Sequence, residues 1–503
     1  MADGPTPTLL IGTARSLRQL IHTLHVAEPP VAVLGAVLPE SASADADPGC
    51  PVLGRLSELA VVLNTDTPEQ VLLTLPLAMQ KAIGKATALL DRAAVTWRFL
   101  PTLDDQLAGR TSSRVTGALP TSAGTTPSRP AAGALDPALL IDRTPKPLDE
   151  PTIAASLAGK RVLITGAGGS IGSELARTVC RFHPAELTLV ERAESPLFEI
   201  DRELARAFPS LPRRAELHDI TRRGATADLL RRVKPDVVFH AAAHKHVPMM
   251  EVHPTEAIEN NVYGTRHLAD ASAAAGVSRF VMISTDKAVN PSSVMGASKR
   301  LAELYIQHVG QLFPDTVFAT VRFGNVLGSV SSVLTIWADQ LARGGPITVT
   351  HPEMQRYFMT IPEAAGLVLQ AGALSKGGEV FLLDMGQPLR VLDLAHRFIR
   401  LHGFEPNQDM PVQITGVRPG EKLFEELAYH SEGMIPTAHD SIRIWQTDPP
   451  SPAIVRQTHQ RLDRLRNGPP KSPAARSWST ASRNAVLTAL HAAVPEMVAA
   501  AAG

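Results

Sequence analysis

Arg161-Val162-Leu163-Ile164-Thr165 runs without a break into Gly166-Ala167-Gly168-Gly169-Ser170-Ile171-Gly172, then into Ser173-Glu174-Leu175-Ala176. An apolar β-branched run, a glycine turn and a helix-forming run give the strand, turn and helix that a dinucleotide fingerprint requires. Gly166 permits the tight turn. Gly169, Ser170 and Ile171 let the backbone approach a pyrophosphate, and Gly172 lets the helix pack closely on the strand. The helix N-terminus favours the negative charge. An acid, Glu191, stands 19 residues after Gly172 at the end of the next apolar run. A carboxylate there suits the ribose diol of NAD. Arg192 follows it, so both NAD and NADP stay open.

Working outward, residues 187–191, 237–240, 279–284 and 317–322 read as further strands, with helical patterns between them. Strands alternating with helices predict an α/β fold: a doubly wound parallel-sheet Rossmann domain over 136–440. Residues 8–11, 31–37, 70–75 and 95–99 also read as strands, with helices at 16–24 and 77–90, giving a smaller Rossmann-like accessory domain over 1–105. Its first turn, Gly12-Thr13-Ala14-Arg15, has one glycine, too few for a pyrophosphate, so no nucleotide is expected there. Residues 106–135 are rich in Ala, Gly, Ser, Thr and Pro and read as a linker. Residues 441–503 read as a polar, Pro-rich tail with short helices at 454–466 and 483–493 and no chemistry.

The chain has 503 residues, 44% apolar, with 49 basic and 49 acidic side chains. Zero formal charge gives no global electrostatic case for nucleic acid or an anionic membrane. Two distant cysteines, Cys50 and Cys180, fit a reducing compartment. No apolar stretch approaches the ~18 residues of a membrane span. Met1-Ala2-Asp3-Gly4-Pro5 lacks the basic start of a signal peptide. A soluble cytoplasmic protein is the expectation.

Three segments fit a cofactor cleft. His218-Asp219-Ile220 offers Asp219 to an adenine amine or, equally, a helix N-cap before Thr221. His240-Ala241-Ala242-Ala243 ends a strand with small residues over which a cofactor can lie. His244, Lys245 and His246 are adjacent, point in different directions and have no partner at metal spacing, so no metal is expected. Lys245 reads as a contact to nucleotide phosphate or substrate.

Several motifs together carry a resemblance. They are Thr165-Gly166-Ala167-Gly168-Gly169-Ser170-Ile171-Gly172-Ser173-Glu174, His240-Ala241-Ala242-Ala243-His244-Lys245-His246-Val247-Pro248, Asn261-Val262-Tyr263-Gly264-Thr265 and Ser284-Thr285-Asp286-Lys287-Ala288. Arg322-Phe323-Gly324-Asn325-Val326-Leu327-Gly328-Ser329, Arg356-Tyr357-Phe358-Met359-Thr360 and Arg418-Pro419-Gly420-Glu421-Lys422-Leu423 complete them. Residues 136–427 resemble the extended short-chain dehydrogenase/reductases, and more narrowly the capsular-polysaccharide type of UDP-N-acetylglucosamine 4,6-dehydratase, which implies a Rossmann catalytic domain with a substrate-binding C-terminal subdomain over 136–440. Such enzymes mostly carry a tyrosine four residues before Lys299. Here it is Met295, a mark of the larger, configuration-retaining members.

The resemblance implies C4 oxidation, loss of water across C5 and C6, and hydride return to C6, with NAD or NADP bound through turnover. It implies Asp286 as acid at C6, Lys287 as base at C5 and Thr285 as relay of the C4 proton. Lys287 must be neutral to act, and burial with Lys299 nearby is expected to lower its pKa. Lys299 and Asn261 are implied on the cofactor, and Met295 packs against the sugar or ring. Lys245, His246, Arg322, Asn325, Val326, Arg356, Arg418 and Glu421 are implied on the UDP-sugar. A homo-oligomer pairing through helices near Met295–Lys299 is expected by resemblance. A 4-epimerase and a non-catalytic nucleotide-sugar sensor are the alternatives. The missing tyrosine weighs against the first and the retained Thr-Asp-Lys triplet against the second.

Overall fold

The protein is described from a computed structural model, which covers residues 5–24, 31–43, 45–107, 137–141, 143, 146–427, 433–446, 448, 450–467 and 483–497. The expected linker falls outside the described residues except for its first two. The chain forms two compact units. One comprises Met1–Thr144, Ile336–Val349 and Val391–Ile414; the other comprises Pro145–Thr335, Thr350–Arg390 and Thr415–Gly503.

In the first unit, β1 (Thr6–Gly12), β2 (Val31–Leu38), β3 (Val52–Arg55), β4 (Gln70–Thr74) and β5 (Thr96–Phe99) form an all-parallel sheet in the order β3-β2-β1-β4-β5. The small α/β domain expected from the sequence is present. Its lone turn glycine serves packing. A Cβ on Gly12 would lie 2.8 Å from the Thr74 carbonyl oxygen.

The second unit is built on β6 (Arg161–Thr165), β7 (Glu186–Glu191), β8 (Arg213–Leu217), β9 (Val237–His240), β10 (Arg279–Thr285) and β11 (Val317–Phe323). They run in the order β8-β7-β6-β9-β10-β11, all parallel. Strand Val380–Leu383 extends the sheet in parallel, and Ile442–Trp445 and Met434–Pro436 close that edge antiparallel. This is the doubly wound order, whose direction reverses between β6 and β9. Both faces of the sheet are covered, so its strands read as continuous apolar runs. Successive side chains serve opposite cores. Val162, Ile164, Leu187, Leu189, Phe239, Val281 and Val321 pack on one side, with Leu175 and Val179 of the helix Ser170–Cys180. Leu163, Val190, Val238, Phe280, Met282 and Phe318 pack on the other.

A third apolar cluster lies beside that sheet. It joins Met295, Ala297 and Leu301 of the helix Val294–Leu312 to Val247, Met250, Ile258 and Val262, and to Leu462, Val486, Leu490 and Val494. The last four belong to, or directly follow, helices Pro452–Asn467 and Arg483–Ala493. Ion pairs Arg300–Glu496 (2.8 Å) and Arg266–Asp463 (3.5 Å) flank it. The tail read as polar and without chemistry therefore covers this helix. The surface that resemblance assigns to self-association is occupied here by the chain's own C-terminal helices. Met295, 3% exposed, is a core side chain of this cluster, which corrects the expectation that it packs against sugar or ring.

Among the described residues, no helix is long and apolar enough to cross a membrane. Leu490 is fully buried in the third cluster. Leu490→Ala is expected to lower stability by about 2–5 kcal/mol in denaturant unfolding; an unchanged midpoint would contradict the cap.

Candidate active site

The reversal point sits where β6 and β9 end side by side, with Thr165 in register with His240. His240 is fully buried. Its ring nitrogens meet the hydroxyls of Thr165 (2.8 Å) and Thr265 (2.9 Å). Burial, with Lys299 adding, pushes its pKa down to about 3, so it is a neutral structural pin. Beyond Thr165 the glycine turn follows. Gly166 has φ +65°, and a Cβ on it would lie 2.8 Å from the Ala241 carbonyl. A Cβ on Gly172 would lie 2.0 Å from the Gly166 oxygen. Gly169 begins the helix Ser170–Cys180, and no side chain caps it. The result is an uncapped helix end behind a loop with no room for side chains, which fits the pyrophosphate of a dinucleotide. Ala242 and Ala243 continue past Ala241 along the same edge. Ile171 packs partly on the core below. Glu191 ends β7, and its carboxylate accepts from the amides of Gly168 (3.3 Å), Arg192 (2.9 Å) and Ala193 (3.2 Å). Arg192 reaches His244 at 3.3 Å.

Three expected cofactor residues make contacts within the chain. Asp219 accepts from the Thr221 amide at 2.9 Å without capping the next helix, whose N-cap is Arg222, and Ile220 is buried against Gly264. Asn261 lies in the π-helix Ile258–Gly264. Its amide accepts from His244 N (2.8 Å) and donates to His244 O (3.0 Å) and Ser298 Oγ (3.0 Å). Both ends of that amide are engaged, so Asn261 orients the His244 backbone instead of facing a cofactor.

The triplet leaves the carboxyl end of β10. Thr285 caps the short 3₁₀ turn Asp286–Ala288. Its hydroxyl donates to Asp286 Oδ1 (2.9 Å) and accepts from the Lys287 amide (3.4 Å). Lys287 Nζ donates to Asp286 Oδ1 (3.0 Å) and to Asn325 Oδ1 (2.9 Å). Asp286 is fully buried, and among the described residues its Oδ2 has no hydrogen-bond partner. That oxygen would lie 3.1 Å from a Cβ on Gly324, so the Gly324 position is kept small beside the carboxylate.

The expected pKa direction at Lys287 is reversed. Burial pushes it down, but the carboxylates of Asp286 and Glu425 outweigh burial and hold it above its ordinary value. Lys287 rests as an ammonium. Lys299 behaves the other way. Its ammonium donates to the Ile283 carbonyl (2.7 Å), and burial, opposed by Glu303, lowers its pKa to about 8.

A cavity opens in front of the triplet. Lys245, His246, Lys287, Asn325, Arg356, Arg418, Glu421 and Glu425 line it, with Ser292, Ser293 and Lys422. Lys245 Nζ donates to Val330 O (3.0 Å) and Ser329 Oγ (3.4 Å), and Val330 N donates to Ser170 Oγ (3.0 Å). One short strap thus touches both the glycine turn and the cavity lysine. Arg356 lines the cavity while its guanidinium holds the carbonyls of Gln355 (2.7 Å), Lys422 (2.7 Å) and Leu423 (3.2 Å). Arg418 stands half-exposed, 3.9 Å from Glu421.

Two expected substrate contacts do not face the cavity. Arg322 is 1% exposed and pairs with Glu303 through Nε (2.7 Å) and Nη2 (2.5 Å), under the Trp445 ring. It shares a sheet face with Phe318, which the helix Val294–Leu312 covers, so strand alternation turns it away from substrate. Val326 packs on the core instead of lining the cavity. The sequence reading missed Glu425, Lys422, Ser292 and Ser293. Short polar loops carry no periodic signal, although Lys422 sits inside a quoted motif. Among the described residues no cluster has the makings of a metal site.

A family model described as "polysaccharide biosynthesis protein" matches residues 162–447. The capsular polysaccharide biosynthesis protein CapD of Staphylococcus aureus is 50% identical over 297 residues, 58% of this chain and 49% of that protein. A UDP-N-acetylglucosamine 4,6-dehydratase (inverting) of Campylobacter jejuni is 31% identical over 271 residues, 53% of this chain and 77% of that protein. The crystal structure of Pen from Bacillus thuringiensis is similar at a TM-score of 0.54 and 31% identity, covering 58% of this chain and 89% of that one. The chain spans about half the length of the first curated relatives it matches, at 49% and 51%.

Lys299 supplies a pH signature. Its folded pKa, about 8, lies below its ordinary 10.5, so the unfolded chain holds that proton more tightly. Stability is therefore gained as pH rises across that window. The wild type should gain stability relative to Lys299→Met between pH 8 and 10.5 in chemical unfolding; a pH-independent difference would contradict the assignment.

Proposed function

Because the chain belongs to the polysaccharide biosynthesis protein family, we propose that it is a nucleotide-sugar 4,6-dehydratase acting on UDP-N-acetylglucosamine. The observation that carries the reading is one buried carboxylate, Asp286, whose Oδ1 receives both the Thr285 hydroxyl (2.9 Å) and the Lys287 ammonium (3.0 Å) beside a cationic cavity. An acid and a base in direct contact suit an elimination, which removes a proton from one carbon and a hydroxyl from the next. A plain alcohol oxidation or epimerisation needs only one proton acceptor at C4.

A nicotinamide dinucleotide on the Gly166–Gly172 cradle supplies a hydride acceptor that gives the hydride back, whether NAD or NADP. The Thr285 hydroxyl passes the C4 hydroxyl proton to Asp286. Asp286 then protonates the departing C6 hydroxyl. Lys287 takes the C5 proton, made acidic by the C4 ketone. A single amine on one side of the sugar takes the C5 proton and, as an ammonium whose hydrogens exchange with water, delivers one to the same face, so C5 keeps its configuration. Lys245, which also holds the Val330 carbonyl, and the half-exposed Arg418 are the cavity cations that meet the diphosphate, with His246 and Glu421 beside them. Arg356 shapes the wall through its three carbonyls. Met295 takes no part, because a thioether in an apolar cluster exchanges no proton.

Incubation with UDP-N-acetylglucosamine in heavy water is expected to give a product lacking one water, with deuterium at C5. Unchanged mass with altered stereochemistry would mean an epimerase, and binding without turnover a sensor. Lys287→Ala should lower turnover by about 10²–10⁴-fold; near-normal activity would sink the base assignment.

A further inference from the structure

Proton counting around Lys287 leaves one proton without a destination. At rest Lys287 is an ammonium and Asp286 a carboxylate, 3.0 Å apart. On the dehydratase reading, on which everything below rests, elimination needs Lys287 as free amine and Asp286 as free acid. Oxidation at C4 releases one proton through Thr285. Freeing the Lys287 amine releases another. Asp286 takes only one of the two. The other needs an acceptor within reach of Lys287 inside the same pocket.

Glu425 stands there. Its Oε1 lies 3.9 Å from Lys287 Nζ and 3.8 Å from Arg356 Nη2. Its side chain is 4% exposed, and among the described residues its Oε2 has no hydrogen-bond partner. Arg356 is already held by three carbonyls, and Glu421, the other carboxylate of the cavity wall, faces Arg418. The groups that face Glu425 are Lys287 and Asp286 from the turn after β10, Arg356 from the strand Gln355–Arg356, and Lys422 from its own segment.

We propose that Glu425 is the proton store of this site, taking the ammonium proton of Lys287 and returning it at the end of each cycle. The 3.9 Å gap closes by a side-chain rotation or by one bridging water. In the forward direction an N–H bond of Lys287 breaks and an O–H bond forms on Glu425. Asp286, protonated from the C4 hydroxyl by way of Thr285, gives that proton to the C6 hydroxyl, which leaves as water. Lys287 receives the C5 proton, its ammonium hydrogens exchange with water, and one of them is delivered to C5 when the hydride is returned at C6. Glu425 then reprotonates Lys287, and the site regains its starting charge. Burial lifts the Glu425 pKa above its ordinary value, with Asp286 adding and Lys287, Arg356 and Lys422 opposing. That narrows the gap in proton affinity to the lysine.

The test uses the full chain and its Glu425→Gln and Glu425→Asp variants with UDP-N-acetylglucosamine, measuring substrate affinity by calorimetry and dehydration across pH. Glu425→Gln is expected to bind substrate normally and to dehydrate about 100-fold more slowly near neutral pH. Its rate should recover as pH rises toward the lysine range, where water strips the ammonium beforehand. Glu425→Asp should restore part of the neutral rate. A Glu425→Gln rate and pH profile equal to wild type would overturn the proposal. So would a loss that is the same at every pH, or Asp and Gln variants that both fail to bind substrate. If the wild type itself removes no water, the dehydratase reading fails, and the store fails with it.

Discussion

One buried ion pair organises this site. Lys287 and Asp286 are neighbours in sequence, meet at 3.0 Å at the end of β10, and share a pocket with a second carboxylate, Glu425. One cation is placed beside two buried carboxylates. That placement holds Lys287 protonated at rest, against the pull of burial. Any base chemistry at this lysine must therefore be preceded by a proton transfer within the cluster. The rest of the unit keeps that cluster in place: Asn325 on the second donor of Lys287, Gly324 leaving room beside Asp286, and Arg356 clamping the loop that carries Glu425.

The missing tyrosine is understood in the same terms. Met295 occupies the first turn of the helix Val294–Leu312, but its side chain lies in an apolar cluster that the C-terminal helices complete. A polar hydroxyl at that position would be buried among Val, Leu and Met side chains. On the proposed reading, proton traffic is carried by Thr285, Asp286 and Lys287 at a strand end. Lys299, one helical turn beyond Met295, donates to the Ile283 carbonyl and has a lowered pKa.

Much of the architecture was legible in the sequence because its signals are local. The run from Arg161 to Gly172 carries the strand, the positive-φ turn and the close helix approach, and each is seen at the expected residue. The alternation of apolar runs marked both parallel sheets. The site was legible only where a motif leaves a strand end, as with Thr285, Asp286 and Lys287. Arg322 was misread because its motif is adjacent to the site while its side chain points to the opposite face, onto Glu303. Strand parity, counted from Phe318, held that information. Asn261 was misread because a side-chain amide gives no hint of whether backbone or ligand completes it. Glu425 was invisible. Of the adjacent pair Glu425 and Glu426, one is buried beside Lys287 and the other bonds Asn290 at 2.6 Å, a choice made by loop geometry alone.

The central claim is that a hydride leaves C4 and returns to C6 of the same sugar while this cluster moves the protons. UDP-N-acetylglucosamine carrying deuterium at C4, turned over by the wild-type chain and analysed by NMR and mass spectrometry, tests it most directly. The account predicts one water lost and the deuterium found in the C6 methyl group. Deuterium retained at C4 of a stereoisomeric sugar with no loss of water would contradict it.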